Sequence, residues 1–338
     1  MPHPLVTVAI PTLAVDHSLT ECLNALEAQT YPDFEVVVID NSGAGRVESP
    51  AQFARNRVRV IANRQNAGFG KAVNQAWRAS EAPLLAALND DARPHPRWLE
   101  ELVEAAHAHP AAGMFASQVR LGDSELLDSA GMRMAADGSA KQRGHREAAS
   151  GFSKPCRVFF PSGSAALYRR EMLDQTGMFD EDYFLYCEDT DLGLRGRWAG
   201  WDCLYVPGAV VEHAYSQSAG RASPLKAYYV ERNRIATAIK TFPLRMLWKA
   251  PFAAGMRYGW HAVYLLAGRG AAADFRRSGH SGWMLPFLVI RAHVSALMTL
   301  PRLLGARGKV MRSRKISAAQ FATLAAAHSI SLRRVAEL

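Results

Sequence analysis

With 338 residues, about half of them apolar (49%) and 21% charged, the chain is long enough for one large domain or two small ones, and too apolar to be disordered. Four cysteines (Cys22, Cys156, Cys187, Cys203) show no CxxC spacing, which argues against a disulfide or zinc framework and for free thiols in a reducing compartment. The net charge of +9 is uneven: residues 241–338 hold 15 lysines and arginines against 2 acids, while residues 1–240 hold 25 against 29, and a basic, apolar tail of this kind points to an anionic membrane surface or to nucleic acid.

In chain order, Leu5–Ile10 reads as a buried strand ended by Pro11-Thr12. The start, Met1 to Pro11, lacks the charged head and apolar core of a signal peptide. Asp16–Gln29 is a helix with Leu19, Cys22, Leu23 and Leu26 on one face. Phe34–Ile39 is a second strand, ended by Asp40-Asn41-Ser42-Gly43. Val58–Ile61 is a third, followed by Asn66-Ala-Gly68-Phe-Gly70 and a helix from about Lys71 to Ser80. Pro83–Leu88 is the fourth, ending abruptly in Asn89-Asp90-Asp91 before a Pro-led helix. Strands alternating with helices predict an α/β fold with a parallel sheet. No GxGxxG follows the first strand, so a dinucleotide-binding site is not supported.

The pattern weakens between Gly113 and Ser150, where short strands and a mobile loop over Asp137–Ser150 are expected. Val158–Phe160 reads as a strand, Arg170–Thr176 as a helix, and Glu188-Asp189-Thr190-Asp191 as the opening of another. Asp202–Val206 is a strand, Val210 to His213 a further apolar stretch, and Leu225–Lys240 a long helix. From Pro243 the character changes. Leu247–Leu266 is helical and apolar with Lys249, Arg257 and His261 interspersed, and Trp283–Leu304 is apolar but broken by Pro286, Arg291, His293 and Pro301. A central Arg is costly in a bilayer, so an interfacial helix pair suits these segments better than a spanning helix. The basic run from Lys309 to Lys315 would sit against anionic headgroups. An ordinary helical packing extension with solvated basic residues accounts for the same residues equally well.

Two acidic clusters carry the chemistry. Adjacent carboxylates at the carboxyl end of a strand stand where open α/β sheets bind ligands. Asp90 and Asp91 repel each other and call for a cation between or near them, and hard oxygen ligands suit Mg²⁺ or Mn²⁺ carrying a diphosphate. In the second cluster, helix capping explains one carboxylate. Three in four positions exceed that need, and an Asp there can take a proton from an attacking hydroxyl. His213, after an apolar strand, would serve naturally as a metal ligand beside Asp91, although a lone His is more often structural. Asp40-Asn41 suits a base or ribose, or equally an Asx-turn. Gly68 lets backbone approach a ligand closely. Neither a Ser/His/Asp triad nor a nucleophilic Cys is evident.

Together, Ile10-Pro11-Thr12, Val38-Ile39-Asp40-Asn41-Ser42, Asn66-x-Gly68-Phe69-Gly70-x-Ala72-x-Asn74, Leu88-Asn89-x-Asp91, Gly163-Ser164 and Glu188-Asp189-x-Asp191-Leu192-x-x-Arg195 occur in order. The chain resembles the family 2 glycosyltransferases, in particular their rhamnosyltransferase-like branch, over roughly residues 5–240. Arg232-Asn233-Arg234 after a Tyr pair also looks like this branch. The resemblance implies a GT-A catalytic domain over 1–240, a basic helical extension over 241–338, and sugar transfer with inversion from a nucleotide-diphosphate donor. It places Asp91 and His213 at a metal ion, and Asn89 and Asp90 on the nucleotide side. The branch often has Pro where Asp90 stands. Pro11, Thr12, Asp40, Asn41, Asn66, Gly68 and Asn74 fall where the family holds the donor, here expected to be a dTDP- or UDP-sugar. Asp189 matches the general base, with Glu188 orienting acceptor or base. Gly163, Ser164, Asp191, Arg232 and Asn233 are expected on the acceptor side. The acceptor is expected to be a saccharide or polyprenyl-linked sugar at the cytoplasmic face of the cell membrane, with no nucleic acid involved. The rival readings are a sugar-1-phosphate nucleotidyltransferase and a binding-only family member. The first would need a Gly-rich, basic phosphate loop after the first strand, and Pro11-Thr12-Leu13-Ala14 is not one.

Overall fold

A computed structural model describes residues 4–47, 57–213 and 222–338. The Ser- and Gly-containing stretch that follows His213 in the sequence, residues 214–221, lies outside them. Two compact units emerge: one takes Met1–Met132, Gln142–Phe184 and Trp201–Ser216, the other Arg133–Lys141, Leu185–Gly200 and Gln217–Leu338. These packing units differ from the functional division expected at residue 240, because the segment with the second acidic cluster packs in the same unit as the basic tail.

The first unit is built on one mixed sheet. Its strands are β1 (Val6–Thr12), β2 (Phe34–Asp40), β3 (Arg57–Ala62), β4 (Leu84–Leu88), β5 (Ala92–Pro94), β6 (Ala112–Leu121), β7 (Leu127–Ser129), β10 (Cys156–Arg157), β11 (Ala165–Arg169) and β12 (Asp202–His213). A short separate hairpin pairs β8 (Met132–Met134) with β9 (Ala140–Gln142). The sheet order is β10-β12-β6-β11-β4-β1-β2-β3, with β5 on β12 and β7 on β6. One half, β4-β1-β2-β3, is parallel throughout. Strands β1, β2 and β4 are buried along nearly their whole length. Parallel strands covered on both faces require such runs, and Val-Val-Val-Ile in β2 supplies them. The helices of this unit are α1 (Ser18–Glu27), α2 (Phe69–Arg78), α3 (Trp98–Ala108) and α4 (Arg170–Thr176). The core joins Val8, Ile10 and Val36 to Leu23 and Leu26 of α1 and to Trp98 and Leu102 of α3.

Strand β11 runs against both β4 and β6, so β6 points the same way as β4, and β12, parallel to β6, does too. The ends of β1, β2, β4 and β12 therefore share one edge. The two apolar stretches expected over Asp202–Val206 and Val210–His213 form one strand, β12, with a register shift between Val206 and Val210. The Val158–Phe160 strand is shifted as well: pairing falls on Cys156–Arg157, and Phe159 and Phe160 fill the core.

The second unit holds α5 (Glu188–Trp198), α6 (Pro224–Thr241), α7 (Leu244–Leu266), α8 (Ala271–Arg277), α9 (Met284–Met298), α10 (Leu300–Arg312), α11 (Ala318–Ala327) and α12 (Leu332–Glu337). Trp198 anchors it, stacked on Phe321 at 4.5 Å with its N–H on the Thr241 carbonyl. Within the loop expected over Asp137–Ser150, Asp137 is fully buried and caps its own turn through the Ser139 N–H, while residues 146–148 and 150 are exposed. Among the described residues no single helix is long and apolar enough to cross a membrane. The pair α9 and α10, bent by 66°, passes only when taken together.

Candidate active site

In the first unit the site grows from the strand ends. Chain connections leave β1 toward β2 on one side and enter β4 on the other, which opens a crevice between β1 and β4. The Thr12 hydroxyl, at the end of β1, donates to Asp90 at 2.6 Å. The Asn89 N–H donates to the Ser164 carbonyl at 2.9 Å, which fixes the start of the acidic turn. β5 follows immediately and pairs with β12 so that His213 stands opposite Ala92. That register puts the imidazole beside Asp91.

His213 Nε2 lies 3.0 Å from Asp91 Oδ1, and its Nδ1 lies 3.2 Å from Asp128 Oδ2. Asp128 in turn meets His145 at 3.3 Å. Burial opposes the charge on His213, but the bonds to Asp128 and Asp91 outweigh it and raise the imidazole to about 10. Two carboxylates thus flank the ring and favour its charged form. Burial lifts Asp90 to about 6, with Asp91 and Asp16 adding to the rise against the Thr12 hydrogen bond.

The donor set fits a divalent ion. Asp91 and His213, 3.0 Å apart, bring together an oxygen and a nitrogen donor of kinds that divalent ions take. A carboxylate on the far nitrogen of a ligating His is the usual arrangement that fixes its tautomer, and Asp128 occupies that place. Among the described residues no three of His, Cys, Asp and Glu converge on one point. The protein thus offers two ligands, which suits an ion whose other positions go to phosphate and water. Asp128 escaped the sequence reading. It sits in a three-residue strand with no telltale spacing, and only the β6–β7 pairing brings it to this edge.

Several residues expected at the donor have internal duties. Asp40 accepts the N–H groups of Ser42 and Val47; burial works against its charge, but these bonds win and lower its pKa. Asn41 takes Asn63 at 2.8 Å and donates to the Gly68 carbonyl. Asn66 closes its own turn on the Gly68 N–H. Asn74, expected at the donor, instead clamps both backbone polar groups of Phe179 and reaches Glu181. Gly68 has φ +81°, and a Cβ there would meet the Phe184 carbonyl oxygen at 2.2 Å. The close approach expected of it is therefore to the protein's own backbone. Pro11 lies within β1 opposite Ile39, and Gly163 and Ser164 form the turn that carries the Ser164 carbonyl.

The second unit holds the other acids. Tyr186 and Cys187 have φ of 69° and 65°, a left-handed run that side chains rarely adopt. Asn233, fully buried, stabilises it: its Nδ2 donates to the Leu185 and Tyr186 carbonyls, both at 2.8 Å. Arg232 donates to Asn233 Oδ1 at 2.8 Å. Asn233 thus serves the backbone ahead of the acids, where an acceptor contact was expected. Glu188 opens α5, and burial and then Asp189 push its carboxyl up to about 8. Its Oε2 is buried with no hydrogen-bond partner among the described residues. Asp189 is half-buried and accepts the Thr190 N–H at 2.6 Å. Asp191, also expected at the acceptor, is fully buried between Arg195 at 2.8 Å and Lys240 at 2.7 Å. Its place is structural.

Comparison with known proteins follows the same lines. Residues 7–177 match the model of the family described as Glycosyl transferase family 2. An N-acetylglucosaminyl-diphospho-decaprenol L-rhamnosyltransferase of Mycobacterium tuberculosis is 32% identical over 254 residues, covering 66% of this chain and 82% of that protein. The mannosyltransferase PcManGT of Pyrobaculum calidifontis, solved with GDP-Man and Mn²⁺, superposes with a TM-score of 0.56 at 19% identity, covering 93% of this chain and 86% of that one. GalNAc-T7, solved with UDP, GalNAc and Mn²⁺, gives a TM-score of 0.55 at 14% identity, covering 70% of this chain. The present chain spans about half of that structure's length (48%). The two structures speak for the fold, which is GT-A.

Proposed function

The chain belongs to glycosyl transferase family 2 and is a glycosyltransferase, and from that premise we propose that it moves rhamnose or another hexose, with inversion, from a nucleotide-diphosphate donor onto a saccharide or lipid-linked acceptor of a surface polysaccharide. The observation that carries the reading is the Asp128–His213–Asp91 chain beside Asp90 in the crevice at the ends of β1 and β4. The donor is a dTDP- or UDP-sugar. The mycobacterial relative's name supports the rhamnosyl and lipid-linked parts. The Mn²⁺ in both superposed structures supports a divalent ion, Mg²⁺ or Mn²⁺.

Such an ion would neutralise the charge that develops on the departing diphosphate. Asp91 and His213 would hold it, and Asp128 keeps His213 Nε2 turned toward Asp91. Asn89 and Asp90 line the nucleotide side, with Thr12 holding Asp90 in place. Asp189 is the base: it accepts the proton of the acceptor hydroxyl as that oxygen attacks the anomeric carbon. Glu188, a neutral carboxyl near pH 7, orients the acceptor through a hydrogen bond.

The tail belongs at the inner face of an anionic membrane. Trp248 and Phe252 on α7 and Trp283 just ahead of α9 are 78%, 79% and 86% exposed. Arg245, Lys249, Arg291, Arg302 and Lys309 are exposed among them. Aromatic and aliphatic stripes with interspersed cations suit an anionic interface. Flotation with phosphatidylglycerol vesicles but not phosphatidylcholine vesicles is the expected result, and release by nuclease would refute it.

The function is tested by a thermal-shift screen of UDP, dTDP, GDP and CDP with and without Mn²⁺. One nucleotide should raise the melting temperature only with metal, by mass action on the native state, and Asp91→Ala should abolish the shift. Absence of any shift in folded protein would overturn the donor site and leave a binding-only member with another ligand.

A further inference from the structure

In the first unit a second imidazole stands behind the first. His145 Nδ1 lies 3.2 Å from the Asp128 carbonyl oxygen and 3.3 Å from Asp128 Oδ1. A backbone carbonyl only accepts, so that nitrogen carries the hydrogen. The other carboxylate oxygen, Oδ2, meets His213 Nδ1 at 3.2 Å, and His213 Nε2 meets Asp91 at 3.0 Å. Four side chains thus stand in one series: Asp91, His213, Asp128, His145. The far end of it is sheltered from water, with the Asp128 and His145 side chains 4% and 14% exposed. The backbone delivers His145 by a fitted turn. The Arg146 N–H donates to the Leu127 carbonyl at 2.8 Å and the Leu127 N–H to the Glu147 carbonyl at 2.9 Å. Two further bonds, Ala130 N–H to the Arg143 carbonyl at 2.9 Å and Arg143 N–H to the Gly131 carbonyl at 2.8 Å, tie the same two segments on the other side of Asp128. Gly144 turns at φ +77°, and a Cβ there would meet Phe152 Cζ at 2.8 Å and Leu127 Cδ1 at 2.9 Å. Arg146, with φ 63°, is left-handed although it is not a glycine. Such a residue persists where its surroundings over-determine it, and what this turn achieves is to set His145 against Asp128.

We propose that His145 is a positioning residue for the candidate metal centre: it holds Asp128 from behind, and through Asp128 keeps His213 Nε2 turned toward Asp91. The proposal rests on the reading of Asp91 and His213 as metal ligands. The physical reason lies in the last torsion of an Asp side chain, which is broad rather than confined to narrow wells. A bond to one carboxylate oxygen leaves the plane of the group free to swing. A donor at the other oxygen fixes that plane, and with it the direction in which Oδ2 meets His213. An imidazole whose far nitrogen is held in this way presents its near nitrogen in one orientation, which is what outer partners do for a ligating His. His145 thus acts on the ion through two intervening side chains and contributes geometry.

The test measures Mn²⁺ binding to the full-length protein by electron paramagnetic resonance of the free ion, with no sugar donor or acceptor present. His145→Phe keeps a ring and loses the donor. His145→Asn keeps an N–H on the atom that follows Cγ, where Nδ1 stands in histidine. His145→Phe should bind Mn²⁺ about tenfold more weakly, the lower end of what outer partners of a ligating His are worth, and His145→Asn should keep most of the affinity. His145→Ala makes the same comparison should the phenyl ring disturb the fold. Equal Mn²⁺ binding by wild type and His145→Phe overturns the proposal. So does an equal loss in His145→Phe and His145→Asn, which would assign the effect to packing and not to the hydrogen bond. A second readout needs no metal. In protein with isotope-labelled histidine, stripped with EDTA, the His213 Nδ1 hydrogen should exchange slowly with water in wild type and in His145→Asn, and at least about tenfold faster in His145→Phe, because the carboxylate that shields it has come loose. Wild type that binds Mn²⁺ no better than Asp91→Ala would sink the metal assignment. The exchange rates then decide the positioning by themselves, and equal rates in wild type and His145→Phe overturn it.

Discussion

Asp191→Ala separates the structural account of the second acidic cluster from the sequence-based one. Asp191 has no exposed surface, and its partners are nearly as sheltered: the side chains of Arg195 and Lys240 are 8% and 3% exposed. Burial works against the carboxylate's charge, yet Arg195 and Lys240 outweigh it and lower its pKa. Removing the carboxylate takes away the counter-charge that these two buried cations share. Breaking a buried pair in this way costs about 3–5 kcal/mol, a large share of the roughly 5–15 kcal/mol that hold a domain folded. Urea unfolding followed by circular dichroism should show a lower midpoint with an unchanged slope. Lys240→Met should relieve part of the penalty in the double mutant, because one of the two cations that shared the carboxylate is then gone. A variant as stable as wild type with a raised acceptor KM would refute this account and return Asp191 to the acceptor.

Four further outcomes are expected. Glu188→Gln should stabilise the fold increasingly with pH: the native carboxyl titrates at about 8 and an ordinary Glu at about 4.5, so the native state binds more protons across that window and loses about 1.4 kcal/mol per pH unit relative to the neutral variant; a flat difference from pH 5 to 8 in melting experiments would count against the burial. Asn233→Ala should lower kcat about ten- to hundredfold while leaving the donor KM and the nucleotide thermal shift in place, because it frees the turn that aims Asp189, and Asn233→Asp, which lacks the N–H donors, should fail likewise. Gly68→Ala should destabilise by at least about 2 kcal/mol, since it combines a positive φ with a clash against backbone. Glu231, held at about 2 by Arg234 and Arg257 against the cost of burial, contributes stability that is complete above pH 4.5 and is lost only as pH falls toward 2, so Glu231→Gln should lose stability at pH 7 and little at pH 2 in denaturant titrations.

The sheet was legible because local pattern decides it. Runs such as Val-Val-Val-Ile in β2 have no partner-dependent alternative, and each ends in a polar turn that the sequence announces. Arg170–Thr176 forms α4 with the bounds its pattern predicts. Antiparallel β11 was not legible, since Ala-Ala-Leu-Tyr fits either strand direction and pairing with β4 and β6 decides it. The Asp137–Ser150 segment misled for a related reason. Gly, Ser and charge are read as solvent-facing, but Asp137 is buried because Arg257, 120 residues away, arrives to neutralise it.

The site divides along the same line. A carboxylate at a strand end announces chemistry whatever surrounds it, which is why Asp90 and Asp91 could be found from eight residues of context. The role of an individual polar side chain within a motif is settled by which neighbour reaches it first. Asn74 and Asn233 sit in recognisable motifs, yet both turn inward to hold backbone, Phe179 in one case and the left-handed Tyr186–Cys187 turn in the other. Motif residues therefore include those that shape a site as well as those that touch a substrate, and a spacing pattern does not tell the two apart. Burial with full hydrogen bonding does. By that criterion Glu188 remains a candidate for contact with ligand through its unpartnered Oε2, and Asp189 through its partial exposure; Asp91 and His213 are candidates on a different ground, as an oxygen and a nitrogen donor 3.0 Å apart, and Asp128, which no motif announced, bonds the far nitrogen of that imidazole.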